Sequence, residues 1–183
     1  MALKSTIYKA NIQLADLDRG HFEDYALTLA RHPSENDERL MVRLLAFMLY
    51  ASPTLAFGRG LSTADEADLH DIDAAGQIFR WIDVGLPDEK AIRQACHKAR
   101  SVIVLAYGAR AAEVWWSQTA DKVERLDNLR VLYLLPDQWR DLAQLAGRNM
   151  RLQCTIQEGI VYLGDGEREA VIEPKSWFGK ESG

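Results

Sequence analysis

The sequence predicts an α/β protein with a central mixed β-sheet flanked by helices. Three observations predict it. Alternating apolar and polar runs come in pairs around turn signals, as hairpin strands do. Ser101 to Tyr107 and Leu129 to Leu135 are almost continuously apolar, the pattern of strands buried on both faces. Between and before these runs, apolar residues recur at helical spacing. A length of 183 residues suits one domain, which at this size completes its core without disulfide or structural metal.

Each element follows in order. Ser5 to Leu14 alternates, with Ile7, Ile12 and Leu14 apolar against Lys9 and Gln13. The turn Asp16–Gly20 leads to a second run, Phe22 to Leu29, which predicts a hairpin. Pro33-Ser34 opens a helix over Glu35–Tyr50, with Asp37 and Glu38 in its first turns and Leu40, Leu44, Phe47 and Met48 at helical spacing. Ala51-Ser52-Pro53 ends it. Leu55 to Leu61 reads as a strand. Ala67–Asp73 and Gln77–Val84 read as a hairpin turning through Ala74-Ala75-Gly76. Asp88 is a good N-cap for a helix over Glu89–Arg100. The strand at Ser101–Tyr107 precedes a helix over Ala109–Thr119. The strand at Leu129–Leu135 precedes a helix over Pro136–Gly147, with Gly147 a candidate C-cap. Met150–Ile172 reads as a meander turning at Glu158-Gly159 and Gly164-Asp165-Gly166. A single domain over 1–178 is expected, with a disordered tail at 179–183.

No stretch reaches the run of about 18 apolar residues that a membrane span needs, and the first ten residues lack a secretory leader's features. No membrane association and a cytoplasmic location are therefore expected. The net charge of −5 argues against a surface coated for nucleic acid, while leaving room for a local basic face. Cys96 and Cys154 form no CxxC pair and read as free buried thiols; the four histidines show no ligand spacing.

The acids carry the chemistry. Glu38 lies in the first turns of the first long helix. Asp68 begins a strand, and Asp83 ends the next one, in Trp81-Ile82-Asp83-Val84-Gly85. An ionised carboxylate with apolar residues around it on a central strand is costly unless paired or bound to a cation. Mg²⁺ binds one or two carboxylates together with waters and substrate phosphates, and such an ion activates water for in-line attack. Asp71 and Asp73 compete with Asp68, since hairpin register decides which acid faces inward.

This pattern resembles the PD-(D/E)XK nucleases. Over essentially the whole chain, the sequence is similar to the YaeQ family. The segments that carry the likeness are MALKSTIYKANIQLADLDR, LTLARHPSENDERLMVRLLAF, WIDVGLPDEKAIRQACHKA, AAEVWWSQ and LQCTIQEGIVYL. The resemblance implies a restriction-endonuclease-like αβββαβ core at about 34–108, with additional N- and C-terminal β segments. It implies Glu38 as the helix acid, Asp68 as the "PD" acid after Ala67, and Asp83 as the (D/E). These three would bind Mg²⁺ or Mn²⁺. Gly85 stands where those nucleases have their lysine. Lys90, and after it Arg93, are the nearest replacements, on the helix that starts closest to Asp83; the bland reading is a solvated basic face.

Other residues carry weaker signals. Arg39 and Arg43, one turn apart, suit phosphate binding or ion pairs with Glu35. His97 is a candidate proton shuttle or a structural histidine. Of Trp115 and Trp116, adjacent on a helix, one is expected in the core. The first functional reading is metal-dependent phosphodiester hydrolysis of nucleic acid. The second is a non-catalytic module binding nucleic acid or protein on a degenerate nuclease fold. A third is an interaction protein using its sheet edges.

Overall fold

The structure, a computed structural model, describes residues 4–59 and 65–180. The first hairpin pairs β1 (Thr6–Asp16) with β2 (His21–Arg31), antiparallel from Thr6↔Arg31 to Asp16↔His21. Alternation in β1 buries Tyr8, Ala10, Ile12 and Leu14, so one face of this hairpin meets the core.

Helix α1 (Asp37–Tyr50) follows. Its N-cap is Asn36, two residues beyond the predicted opening, and the Asn36 side chain accepts from Arg39 N at 2.9 Å. Every residue from Leu40 to Met48 is buried. A helix enclosed all round must have partners on both sides, and here these are two sheets. One has the order β10-β9-β8-β1-β2, built from the hairpin, β8 (Asn149–Gln157), β9 (Ile160–Gly164) and β10 (Glu169–Ile172). The other has the order β11-β7-β6-β5-β4-β3. Its strands are β3 (Leu55–Phe57), β4 (Leu69–Ile72), β5 (Ile78–Val84), β6 (Ala99–Ala106), β7 (Leu129–Tyr133) and β11 (Lys175–Phe178). Both sheets are mixed. In the second, β5, β6 and β7 run parallel and the outer pairs antiparallel.

Helix α4 (Pro136–Ala143) shares the middle layer with α1, adding Trp139 and Leu142 to the core between the sheets. Helices α2 (Glu89–Lys98) and α3 (Arg110–Val123) cover the far face of the six-stranded sheet, where Ile92, Ala95 and Val123 meet Val102, Val104 and Val131. The layers therefore run sheet, helix, sheet, helix.

Several boundaries differ from the sequence reading for physical reasons. Strand β3 ends at Phe57 rather than Leu61, with one further bond in the same register from Gly58 N to Asp68 O at 2.8 Å; residues 60 and 61 lie outside the described residues. A Cβ at Gly58 would stand 2.1 Å from Ala67 O, so only glycine fits there. Helix α4 ends at Ala143, its C-cap is Gln144 rather than Gly147, and tighter turns such as Leu145 N to Leu142 O continue the chain. Strand β11 has no sequence signal. It is held by ring packing: Trp177 stacks on Tyr133 with centroids 4.0 Å apart and on Trp116 at 5.8 Å. Of the expected tail, Gly179 and Lys180 follow β11 directly, and 181–183 lie outside the described residues. Among the described residues, no helix is long and apolar enough to cross a membrane.

Candidate functional site

The acids meet at one end of the six-stranded sheet. The register Leu69↔Ile82 between β4 and β5 sets Asp68, just before β4, beside Asp83, near the end of β5. The N-terminus of α1 reaches the same corner. Asp68 is 3% exposed and fully engaged: Oδ1 accepts from Arg39 Nη2 at 2.5 Å, and Oδ2 from Val84 N at 2.8 Å. Asp83 Oδ1 accepts a long bond, 3.4 Å, from Asp68 N.

The same corner sets the titration behaviour. Burial, and then repulsion from Asp68, push the Asp83 carboxyl up to about 6. Trp81, the Asp68 N–H and Arg39 oppose the shift. The opposition from Trp81 is weak, since its buried Nε1 reaches no partner in full hydrogen-bond geometry. For Arg39, burial disfavours the charged form, but Asp68, Glu35 and Tyr107 outweigh it and hold the guanidinium more firmly charged than usual.

Behind Arg39 lies a second, deeper layer. Glu35 is 5% exposed and takes Arg43 through two bonds, Nε–Oε1 at 2.7 Å and Nη2–Oε2 at 2.8 Å, and Arg39 Nη1 at 3.2 Å. Arg43 also donates to Ala30 O at 3.1 Å, tying α1 to β2. The chain Arg43–Glu35–Arg39–Asp68 is thus continuous, and every charge in it has an opposite neighbour.

The expected site residues separate into two groups. Asp68 and Asp83 are brought together. Glu38 is half-buried at the rim, bonded to Asn36 Nδ2 at 3.4 Å, and acts on Tyr107 through its charge. Lys90 is exposed on α2. Arg93 is exposed and engaged elsewhere, with Glu89 Oε1 at 2.8 Å and with Lys122 O. The cation beside the acids is Arg39. Asp71 and Asp73 are occupied: Asp71 accepts from Ser52 and Thr54 hydroxyls at 2.9 and 2.5 Å, and Asp73 Oδ1 caps the hairpin turn through Ala75 and Gln77 N. Among the described residues, no three His, Cys, Asp or Glu side chains converge as a metal cluster.

Tyr107, one residue past β6, was not foreseen. Burial pushes its hydroxyl up to about 12; Arg39 opposes this, while Glu38, Glu35 and Asp68 add to it. It sits at the carboxyl end of a parallel strand, where open α/β sheets bind ligands, and that position was the available signal. Gly85 has φ +104°, a backbone conformation that a lysine would adopt only with strain, although a Cβ there would meet nothing within 4 Å. Trp115 donates to Pro87 O at 2.6 Å and Trp116 packs on Trp177, so both serve packing. Burial raises the thiols of Cys96 and Cys154 to about 11 and 12, as suits inert cysteines. A cavity of about 520 Å³ lies elsewhere, on the outer face of the five-stranded sheet around Asn11, Gln13 and Gln153. Its lining acids, Asp24 on β2 and Asp165 after β9, come from separate elements, and Asp165 is engaged by Arg168, so the charge arrangement rather than the volume marks the candidate site.

The sequence profile of the YaeQ protein family matches residues 1–174. The chain belongs to the YaeQ family. It is 48% identical to YaeQ of Salmonella typhi and 45% identical to YaeQ of Escherichia coli K12, each over 177 residues, 97% of this chain and 98% of the relative. The crystal structure of YaeQ from Xanthomonas axonopodis pv. citri superposes with a TM-score of 0.92 at 43% identity, covering 96% of this chain and 99% of that one. YaeQ from Pseudomonas syringae gives 0.91 at 34% identity, covering 96% and 97%. The layered arrangement described above is therefore shared with solved members of the YaeQ family.

Proposed function

We propose that the chain is a nuclease-like protein that acts on nucleic-acid phosphodiesters at the Asp68–Asp83 corner, with Mg²⁺ or Mn²⁺ as cofactor. The element order α1-β3-β4-β5-α2-β6 supports a restriction-endonuclease-like core. The single observation that carries the reading is the pair of adjacent carboxylates, one of them raised to about 6. Even with Arg39 in contact, the corner is short of positive charge. That deficit fits a divalent cation, which needs only one or two protein carboxylates when substrate phosphate completes its shell. Asp83 and Asp68 would hold it, with Glu38 at the rim. Bound there, the cation supplies charge neutralisation and a more acidic water.

The chain's own residues divide the remaining work. Asp68 links α1 to β5 through Arg39 and Val84, which fixes the corner's shape. Arg39 takes the part of the missing lysine as a permanent positive charge facing the phosphate; as a guanidinium it is no base. Glu35 and Arg43 hold Arg39 in place. The test is calorimetric titration of Mn²⁺ and Mg²⁺ into the protein, with Asp83→Asn as control, followed by cleavage assays on DNA and RNA. Saturable binding lost in the variant is expected. Absence of binding with and without an oligonucleotide sinks the reading.

One observation favours the second reading, a non-catalytic module binding nucleic acid or protein. Both oxygens of Asp68 are already taken, by Arg39 and Val84 N. Under that reading an oligonucleotide or protein partner binds without metal and is never cut.

A further inference from the structure

With layers in the order sheet, helix, sheet, helix, the outer face of the five-stranded sheet has no covering helix among the described residues. Its cavity of about 520 Å³ is floored by outward-facing side chains of three neighbouring strands. The registers set them in two rows. Asp24, Gln13 and Gln153 form one, and Ala26, Asn11 and Arg151 the other. The turn between β9 and β10 completes the lining with Asp165 and Gly166. That turn holds its own shape: Asp165 Oδ1 accepts from the N–H groups of Glu167 and Arg168 at 2.9 and 2.7 Å, and Oδ2 from Arg168 Nη2 at 3.2 Å.

The two rows place opposite charges at opposite corners, Asp24 on β2 and Arg151 on β8, with the amides of Asn11, Gln13 and Gln153 between them. Both charged side chains are exposed, so the fold itself does not need them paired. Among the described residues, neither side chain makes a hydrogen bond or ion pair, with the other or elsewhere. Two strand spacings and two residues of rise put their Cα atoms roughly 12 Å apart. The amides are loosely engaged, Gln153 Nε2 donating to Gln13 Oε1 at 3.4 Å, and keep donors and acceptors for a ligand. The remaining lining charge, Asp165, is already matched by Arg168.

We propose that this cavity binds a short free peptide of two or three residues, its ammonium at Asp24 and its carboxylate at Arg151. Separated charges that sum to zero match a ligand that is neutral overall and charged at both ends. The guanidinium fork suits a terminal carboxylate, and side-chain amides supply the donor and the acceptor that each peptide group needs. Two or three extended residues span roughly 7–11 Å, which bridges the corners once the reach of the Asp24 and Arg151 side chains is taken off. A single amino acid holds its charges too close together to meet both corners, and an internal stretch of a longer chain has neither charge. The cavity volume of about 520 Å³ falls within the range of small-ligand sites, about 300–1,000 Å³. The lining shares no residue with the Asp68–Asp83 corner, so its test stands apart from the nuclease-like reading.

The test is calorimetric titration of trialanine into the full chain, with alanine, N-acetylated trialanine, trialanine amide and the doubly capped peptide as comparisons. Saturable one-site binding of trialanine is expected. An exposed ion pair contributes up to about five-fold in affinity, so each cap should weaken binding by about three- to five-fold, and alanine should bind no better than either singly capped form. Asp24→Asn should weaken trialanine by a similar factor and remove the effect of the acetyl cap while keeping that of the amide; Arg151→Gln should do the reverse. Both substitutions are at exposed positions and should leave the melting temperature within about 2 °C of the parent. No saturable heat up to millimolar trialanine, or caps that act alike on the parent and both variants, overturns the proposal. So does equal binding of the doubly capped peptide, which would make the cavity a groove for an internal stretch of chain.

Discussion

Strand β5 carries Asp83 near one end and Arg80 near the other, and the sheet handles charge differently at the two. At the acid end the countercharge is internal. Asp68 is met by Arg39, Arg39 by Glu35, and Glu35 by Arg43, all within 2.5–3.2 Å. At the basic end the contacts are looser: Arg80 lies over the Tyr50 and Phe79 rings and 3.8 Å from Asp71, and Arg100 lies over Phe79. A buried network of short ion pairs holds its own shape, whereas longer and more exposed contacts contribute less. The acid end is therefore where substitutions should cost most stability, and the exposed Arg100 at the basic end where they should cost least.

The largest effect should come from Arg39. Arg39→Ala leaves Asp68 buried without its cation, and breaking a buried pair on one side costs about 3–5 kcal/mol. For a domain of this size that is roughly a 10 °C fall in melting temperature. A fall under 2 °C would show that the acid end is not held by its ion pairs.

Asp83 comes next and has the opposite sign. Its folded value, about 6, lies above the ordinary 3.8, so the folded state holds the proton more tightly than the unfolded chain. The Asp83 contribution to metal-free stability is therefore most favourable below about pH 4 and is lost as pH rises through 6. A rise of that size corresponds to about 2–3 kcal/mol. Asp83→Asn should be more stable than the parent by up to that amount at pH 8 and equal to it at pH 4. Denaturant melts across pH, in chelator, measure this; a pH-independent difference would mean that burial of the charge is not the cause.

These two residues also mark how much was legible in the sequence. Asp83 was readable because a carboxylate between Ile82 and Val84 on a central strand has no cheap bland explanation. Asp68 was readable only as one of three, and the β4–β5 register separated it from Asp71 and Asp73. Arg39 and Arg43 stood among the candidates, but nothing local distinguishes an arginine that reaches across to a strand from one that pairs along its helix. Lys90 and Arg93 drew attention through closeness in sequence to Asp83, whereas α2 packs on the far face of the sheet. The strands with alternating or continuous apolar runs were legible within a few residues. Strand β11 was not, because its place depends on Trp116, Tyr133 and Trp177 meeting in space.

Gly85 gives a smaller effect that separates backbone from chemistry. Its φ of +104° makes any side chain costly by about 1–2 kcal/mol, although the space is open. Gly85→Ala and Gly85→Lys should thus destabilise alike, to within about 0.5 kcal/mol. If the lysine variant were markedly the more stable, its ammonium would be reaching the acid pair, and the nuclease-like corner would be open to restoration.

The smallest expected change is at the basic end. Arg100 is exposed, with its guanidinium 5.7 Å from the Phe79 ring centroid. An exposed cation–π contact contributes about 0.5–1 kcal/mol, and the repulsion from Arg80 and Arg130 that its removal relieves offsets part of this. Arg100→Gln should therefore leave the melting temperature within about 2 °C of the parent. A variant that melts well below the parent would make Arg100 a structural residue, and the contrast between the two ends of the sheet would then be one of degree.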